Sequence, residues 1–311
     1  MRLTAIDIGT NTILMLIAEL APDGTLKMVR DEHGIARLGK GVDENRSIPE
    51  EAAWRALELL RRYKEISDEC GSEAIVAYGT SVLRDAVNRE QFARFIFERL
   101  GFEIGVLGGD EEAELTYLGA VSEFSQPGDE RHFAVLDIGG GSTELTLGVG
   151  VAVQRRQSLS LGCVRLTERI LKSSPPSSLA MNQALKEIRA QVSEFRSLPA
   201  RTQLIGVAGT LTTLAALDLQ LVEYNPLRVS GHVLAYDTIQ QFFNHLRIKT
   251  VNEMLAYPQI LPGRADVLLA GILILMEVMK RLNVDRITVS DHGLRYGIAR
   301  REFLRKAWKA N

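Results

Sequence analysis

Apolar and polar positions fall into blocks that repeat along the chain. Residues 2–7 alternate into a short apolar run, Gly9-Thr10-Asn11-Thr12 interrupts it, and residues 13–20 are again apolar and partly β-branched. This pattern predicts strand, tight turn, strand. Residues 132–138, 139–143 and 144–148 repeat the series, with TAIDIGTNT answered by AVLDIGGGST. Asp7 and Asp137 hold the same place in the two copies, so the chain reads as an internal duplication.

The remaining blocks alternate between the two periods. Helical spacing of Trp54, Leu57 and Leu60 predicts a helix over 49–63, and further helices are expected at 89–100, 111–117, 181–195, 211–217, 237–246, 266–282 and 294–309. Short apolar runs at 73–78, 102–107, 203–207 and 286–290 predict strands. Strands alternating with helices place the chain in the α/β class with a mixed sheet in each half. Residues 123–130, with Pro127 and Gly128, form the best linker, which divides the chain into domains 1–126 and 127–311.

Bulk properties narrow the chemistry. Hydrophobic residues make up 46% and charged residues 24% of 311 positions, enough apolar material for two cores. A formal net charge of −2 gives no global basic field for nucleic acid or a membrane surface, so neither is expected as a partner. Cys70 and Cys163 are isolated, the amino terminus has no secretory apolar run, and 267–279 is too short to span a bilayer. A reduced, cytoplasmic protein is the expectation. The five histidines show no HExxH spacing and no GxSxG elbow is present, which disfavours a histidine-ligated metal and an α/β-hydrolase.

Four motifs carry candidate chemistry. In Asp7-Ile8-Gly9-Thr10-Asn11 the glycine allows a tight turn, and the turn amides with the Thr10 and Asn11 side chains could hold phosphate oxygens; an ordinary hairpin turn reads equally well. In Asp137-Ile138-Gly139-Gly140-Gly141-Ser142-Thr143-Glu144 three adjacent glycines suit a phosphate cradle better than a stable hairpin. No GK[ST] follows them and they precede a strand, so neither a P-loop nor a dinucleotide fingerprint fits. A carboxylate 4 Å from a phosphate is repelled by about 4 kcal/mol at an effective dielectric of 20, which makes sense with a hard cation such as Mg²⁺ between them. The helix start Gly108-Gly109-Asp110-Glu111-Glu112 could supply a base for in-line water attack or merely compensate a helix dipole, and spacing alone does not separate Glu111 from Glu112. Arg84, after Thr80 and Ser81, is a candidate phosphate fork or the partner of Asp85. In the second half Gly209-Thr210 opens a helix and Ser290-Asp291-His292-Gly293 makes a similar junction; either is an anion site or a buried cap.

Taken together, AIDIGTNT, ARLGKGV, GTSVLRDAVN, GGDEEAELTYLGAV, LDIGGGSTEL, SLGCVRLTE, GVAGTLTTLAAL, GRADVLLAG and SDHGLRYGI, in this order over residues 5–298, resemble the exopolyphosphatase / guanosine pentaphosphate phosphohydrolase family. The resemblance implies a duplicated actin-like fold of the acetate kinase, sugar kinase and Hsp70 superfamily (ribonuclease H-like), with the active site in the cleft between the halves. It implies Glu112 as catalytic base, Asp137 and Glu144 as ligands of Mg²⁺ or another divalent cation such as Mn²⁺, and Asp7, Gly9, Thr10, Asn11, Arg84, Gly139, Gly140, Gly141, Ser142, Thr143, Gly209 and Thr210 on phosphates. It also implies a last helix packed back on the first half. The expected substrate is inorganic polyphosphate, with guanosine pentaphosphate (pppGpp) as the alternative and a homodimer as the expected assembly. The chain resembles the two-domain short form, for which short polyphosphates are the expected preference. Tyr296 stands where the family has glutamate in GLREG. An actin-like kinase or a non-catalytic sensor is the competing class, and the intact set Glu112, Asp137 and Glu144 argues against it. The terminal helix gathers Arg295, Arg300, Arg301, Arg305, Lys306 and Lys309 against Glu302; this reads as a solvated face or as a track for a polyanion.

Overall fold

The computed structural model describes residues 1–21, 25–126 and 128–310, with side chains to residue 305. Pro127 of the expected linker and the side chains of Lys306 and Lys309 lie outside the described residues. Two compact units emerge: 1–119 together with 294–311, and 120–293. The boundary read from sequence at 126/127 falls later in the chain than this division.

The first unit begins with strands β1 (Arg2–Ile8), β2 (Thr12–Leu20) and β3 (Leu26–Ile35). Helices α1 (Val42–Asn45) and α2 (Glu50–Glu69), strand β4 (Ala74–Gly79), and helices α3 (Ser81–Asp85) and α4 (Arg89–Leu100) follow. Strand β5 (Ile104–Val106) and helix α5 (Gly109–Val121) lead out of it. The sheet order is β3-β2-β1-β4-β5, antiparallel on the β3 side and parallel from β1 to β5.

The second unit repeats the scheme with β6 (His132–Ile138), β7 (Thr143–Val149), β8 (Ala152–Leu159), α6 (Cys163–Arg169), α7 (Ser178–Val192), β9 (Gln203–Val207) and α8 (Ala208–Asp218). It continues through α9 (Pro226–Val229), β10 (Val233–Ala235), α10 (Tyr236–Leu246), α11 (Val251–Met254), α12 (Ala265–Leu282) and β11 (Arg286–Val289). Its order, β8-β7-β6-β9-β11-β10, is the first sheet plus one antiparallel edge strand. The chain then ends in α13 (Leu294–Ala310), which belongs to the first unit.

The duplication extends below the level of topology. β1 and β6 share one burial pattern, with the acid at the penultimate, partly exposed position and four fully buried residues before it. Each copy also shifts register at the same point, Ile17/Ala18 in β2 and Leu147/Gly148 in β7, counted from the paired strand ends. A bulge at one fixed place bends and twists both ribbons alike. This is the duplicated actin-like, ribonuclease H-like fold with mixed sheets.

Each unit has its own core. In the first, Ile6, Ile8, Ile13, Met15 and Ile17 on one sheet face meet Ala56, Leu57 and Leu60 of α2 and Phe92 and Ile96 of α4. The other face packs Leu3, Ala5, Leu16 and Ala18 against Ile298, Ala299 and Phe303 of α13. In the second, α12 is the centre: fifteen of its residues are buried, an apolar helix enclosed on nearly every side. Among the described residues no helix is long and apolar enough to cross a membrane.

Candidate active site

The two glycine turns are built alike. Gly9 donates its amide to the Thr12 carbonyl at 2.9 Å, and Gly139 donates to Ser142 at 3.0 Å. A Cβ on Gly9 would sit 3.1 Å from the Thr12 oxygen, and one on Gly139 3.2 Å from that of Ser142. Both positions are therefore tight against backbone. A later segment pins each turn. Ala36 and Arg37 donate to the Asn11 carbonyl and Gly39 donates to Thr10, while Val164 and Arg165 donate to Gly140 and Cys163 to Gly139. Gly162 makes the second clasp possible, because a Cβ there would lie 2.2 Å from the Gly140 oxygen.

With the carbonyls of the second turn engaged, its N–H groups are left over. The amides of Gly140, Gly141 and Ser142 meet no acceptor among the described residues. The β6–β9 register pairs Asp137 with Val207, so the start of α8 lies beside this turn within the second unit. That helix has no side-chain cap at Val207, and its first-turn amides point out of the helix unpaired by it. Ala208 reaches this start with φ at 71°, an uncommon left-handed conformation for a residue with a side chain. Gly209 accommodates the Arg264 guanidinium, whose Nη1 would be 2.8 Å from a Cβ there. Local backbone donors of this kind form anion sites.

Two of the expected phosphate residues play another part. Thr143 is fully buried and donates its hydroxyl to the Leu161 carbonyl. Thr210 is buried, with its side chain packed where a Cβ on Gly271 of α12 would be. Both side chains hold the turns in place. Thr10 is likewise engaged, through a 3.0 Å hydrogen bond between its hydroxyl and that of Ser81.

Acids stand next to the donors. Asp137 and Glu144 are direct cross-strand partners, which places two carboxylates on one face of the β6–β7 ladder. Like charges so opposed are destabilising. Glu144 is buried and accepts from the Ser158 hydroxyl at 2.8 Å. This donor set, all oxygen and doubly acidic, suits Mg²⁺ or Mn²⁺.

In the first unit the structure separates two glutamates that spacing leaves equivalent. Glu111 is exposed and pairs with Arg301 of α13. Glu112 turns inward, its side chain only 12% exposed, and pairs with Arg84. Arg84 also donates to the Leu107 carbonyl at 3.0 Å, and its Nε and Nη2 meet no acceptor among the described residues. Burial pushes the Glu112 carboxyl above its ordinary value, against the pull of Arg84. Asp7 is pushed from 3.8 to about 7 by burial, by repulsion from Glu112 and despite attraction to Arg295. Its Oδ1 is buried without a hydrogen-bond partner, the kind of orphaned oxygen that a cation or a protonated phosphate would satisfy.

Asp7 therefore gives a test of the geometry. The folded protein holds this proton more tightly than the unfolded chain does. Its stabilising effect is full below the unfolded value of 3.8 and is lost as pH rises through about 7. In metal-free buffer Asp7→Asn is expected to be more stable than the parent at about pH 8, by on the order of 2–4 kcal/mol, and to lose that advantage toward about pH 4. Urea melts at both pH values check it; equal stabilities at the higher pH would mean Asp7 is not buried as described.

The basic terminal helix is not a free cationic face. Arg295 is buried and makes a bidentate pair with Asp31 of β3 at 2.9 and 2.8 Å, joined by the Tyr296 hydroxyl at 3.2 Å. Arg301 pairs with Glu111 and Glu302, and Arg305 with Glu302. Three of the four arginines are thus occupied in ion pairs, which leaves little of a polyanion track among the described side chains.

Comparison with known proteins identifies the family. The Ppx/GppA phosphatase family profile matches residues 16–306. Exopolyphosphatase 2 of Mycobacterium tuberculosis is 36% identical, covering 96% of this chain and 97% of its own length. A guanosine-5'-triphosphate,3'-diphosphate pyrophosphatase of Vibrio atlanticus is 28% identical over 95% of this chain but only 58% of its own. The crystal structure of the Aquifex aeolicus Ppx/GppA family member superposes with a TM-score of 0.81 at 31% identity, covering 98% of both chains. With the match running nearly end to end, the chain belongs to the Ppx/GppA phosphatase family.

Proposed function

We propose that this chain is an exopolyphosphatase, which hydrolyses the terminal phosphoanhydride of inorganic polyphosphate by in-line attack of water. The observation that carries the reading is the second glycine turn: three free amides beside an uncapped helix start and a cross-strand pair of carboxylates. Free amides alone suit any anion. The opposed acids need a cation as well, and a phosphoanhydride brings its own.

The residues have distinct roles in this reading. The amides of Gly140, Gly141 and Ser142 and the start of α8 at Gly209 bind phosphoryl oxygens and oppose the charge that builds on them. Arg84 offers its two unengaged nitrogens to a phosphate while Nη1 holds Glu112. Glu112 takes the proton from the attacking water at its carboxylate; its raised value keeps it a stronger base than an exposed glutamate. The turn at Gly9, Thr10 and Asn11 grips phosphate through its backbone, and Asp7 stands ready to donate or share a proton there. Asp137 and Glu144 would hold Mg²⁺, which when bound neutralises anhydride oxygens.

Guanosine pentaphosphate hydrolysis is the second reading, and the similarity to the Vibrio enzyme favours it. The near full-length match to the mycobacterial exopolyphosphatase weighs more. A phosphate-release assay over short and long polyphosphates and guanosine pentaphosphate, with Mg²⁺ and with EDTA, separates them. Release from polyphosphate is expected to exceed release from the nucleotide at equal concentration of ends and to vanish with EDTA. Faster release from the nucleotide would reverse the assignment.

A further inference from the structure

We infer that the second unit carries a second ligand site, for a small amphipathic anion, in the groove between α7 and α10 over α12. The two helices each pack on α12 and far less on one another. This leaves a cavity of about 360 Å³, within the range of small-molecule sites. At about 30 Å³ for each water-sized group it holds roughly a dozen non-hydrogen atoms. None of its lining residues belongs to the turns at 139–142 or 208–210.

The groove is apolar at its floor and charged at one end. Leu273 and Met276 of α12 form the floor; Met181 and Leu185 of α7 and Phe243 of α10 form the walls. Two methionines give a surface that adapts to differing apolar shapes. The polar end is organised around Glu277, a carboxylate buried in the otherwise apolar α12. Arg189 of α7 donates to it at 2.7 Å and Lys280 at 2.9 Å. Burial pushes this carboxyl up, but the hydrogen bonds from Arg189 and Lys280 outweigh it and hold it below its ordinary value.

Arg247, at the end of α10, lines the same groove, and its side chain has no partner among the described residues. Lys280 lies over the Tyr236 ring at the start of α10 while Arg247 stands at its other end, so the three cations and one carboxylate of the lining leave the groove net positive, with the Arg247 guanidinium uncommitted. Across the neck of the groove, Ser174 before α7 donates to the Lys249 carbonyl after α10 at 3.2 Å and ties the two walls together. An apolar body on the methionine floor with an anionic head at Arg247 satisfies both halves. A neutral ligand leaves Arg247 unused, and a cationic one is repelled.

The test uses the full chain labelled with [¹³C-methyl]methionine and titrated with octanoate, 1-octanol and octyltrimethylammonium. Octanoate is expected to shift the Met181 and Met276 methyl signals, leave Met15 in the first-unit core unmoved, and bind with a submillimolar Kd. Octanol should bind at least about 10-fold more weakly, and the cation not at all. Arg247→Glu, at an exposed site that should not disturb folding, should weaken octanoate by about 10-fold or more. Leu185→Trp, which fills the groove from one wall, should remove the Met276 response, with an unchanged Tm confirming the fold. Equal affinity for octanol, uniform shifts at all methionines, or indifference to both variants would overturn the assignment.

Discussion

Glu112→Gln is expected to lower turnover of polyphosphate by about 10²–10⁴-fold, the usual contribution of a positioned general base, with KM little changed. The expectation rests on three local facts. Glu112 lies in the first turns of α5 and is nearly buried. Its partner Arg84 is fixed by a second bond to Leu107, so the carboxylate is held rather than swinging. Burial raises its carboxyl above the ordinary value against the pull of Arg84, which keeps it a competent base. Glutamine keeps the shape and a hydrogen-bonding oxygen for Arg84, so a loss of rate at constant KM would report the missing base. Glu111→Gln, at an exposed residue paired with Arg301, should stay near the parent rate. Because the base must be ionised, the parent's activity should rise with pH through the raised Glu112 value, and that limb should be absent in the variant. A Glu112→Gln enzyme with near-parental turnover would end the assignment.

Gly297→Ala should be among the most damaging single changes in the chain. A Cβ on Gly297 would lie 1.8 Å from the Leu115 carbonyl oxygen and 2.5 Å from its carbon. The obstacle is backbone of α5, so no rotamer change relieves it, and α13 or α5 must move. Such overpacking costs at least about 3 kcal/mol, a fall in Tm of roughly 6–12 °C at this size. The move would also strain the contacts of Phe303 and Ala299 with the sheet and the pair of Arg295 with Asp31. Gly293→Ala is the matched control, since a Cβ there meets nothing within 4 Å. Thermal melts of the two variants settle it; similar Tm values would show that the α5–α13 contact is looser than described.

Much of the fold is legible in the hydrophobic pattern because the buried strands are short apolar runs with clear punctuation. β6, β9 and α4 have the bounds that the pattern predicts, and α12 and α10 begin one residue earlier. The strands that escape notice are β3, β8 and the three-residue β10, all at sheet edges. LKMVRDEHGI carries four charged residues in ten, among them Asp31, which is buried by pairing with Arg295 of α13 rather than by apolar packing, so it lacks the run that marks β1. AVQRRQSL alternates, but its inward positions include Arg155 and Gln157, whose partners Ser197 and Glu194 no local rule reveals. The paired turns are readable for a different reason: the duplication prints the same acid and glycine twice.

The site is less legible than its motifs. ARLGKGV and SLGCVRLTE announce a family without showing what they do. In the structure Gly39 and Gly162 clasp the two turns, and the signal that could have found them is the second repeat hidden there, Leu38-Gly39 answering Leu161-Gly162 after the third strand of each copy. Glu112 and Arg84 are 28 residues apart, and only the β4–β5 pairing brings them together. The hydroxyl of Thr143 looks available in the linear motif but faces inward, because its strand position is fixed by the register Ile138 to Thr143.

The return of α13 to the first unit sets an order of events during synthesis. Leu3, Ala5, Leu16 and Ala18 are translated long before most of the residues that cover them, which belong to α13. One face of the first hairpin therefore stays wet, and open to wrong partners, until α13 has been translated. The second unit, continuous from 120 to 293, has all its own core residues by then and can collapse first. The half of the molecule that is made first is then the half that is finished last.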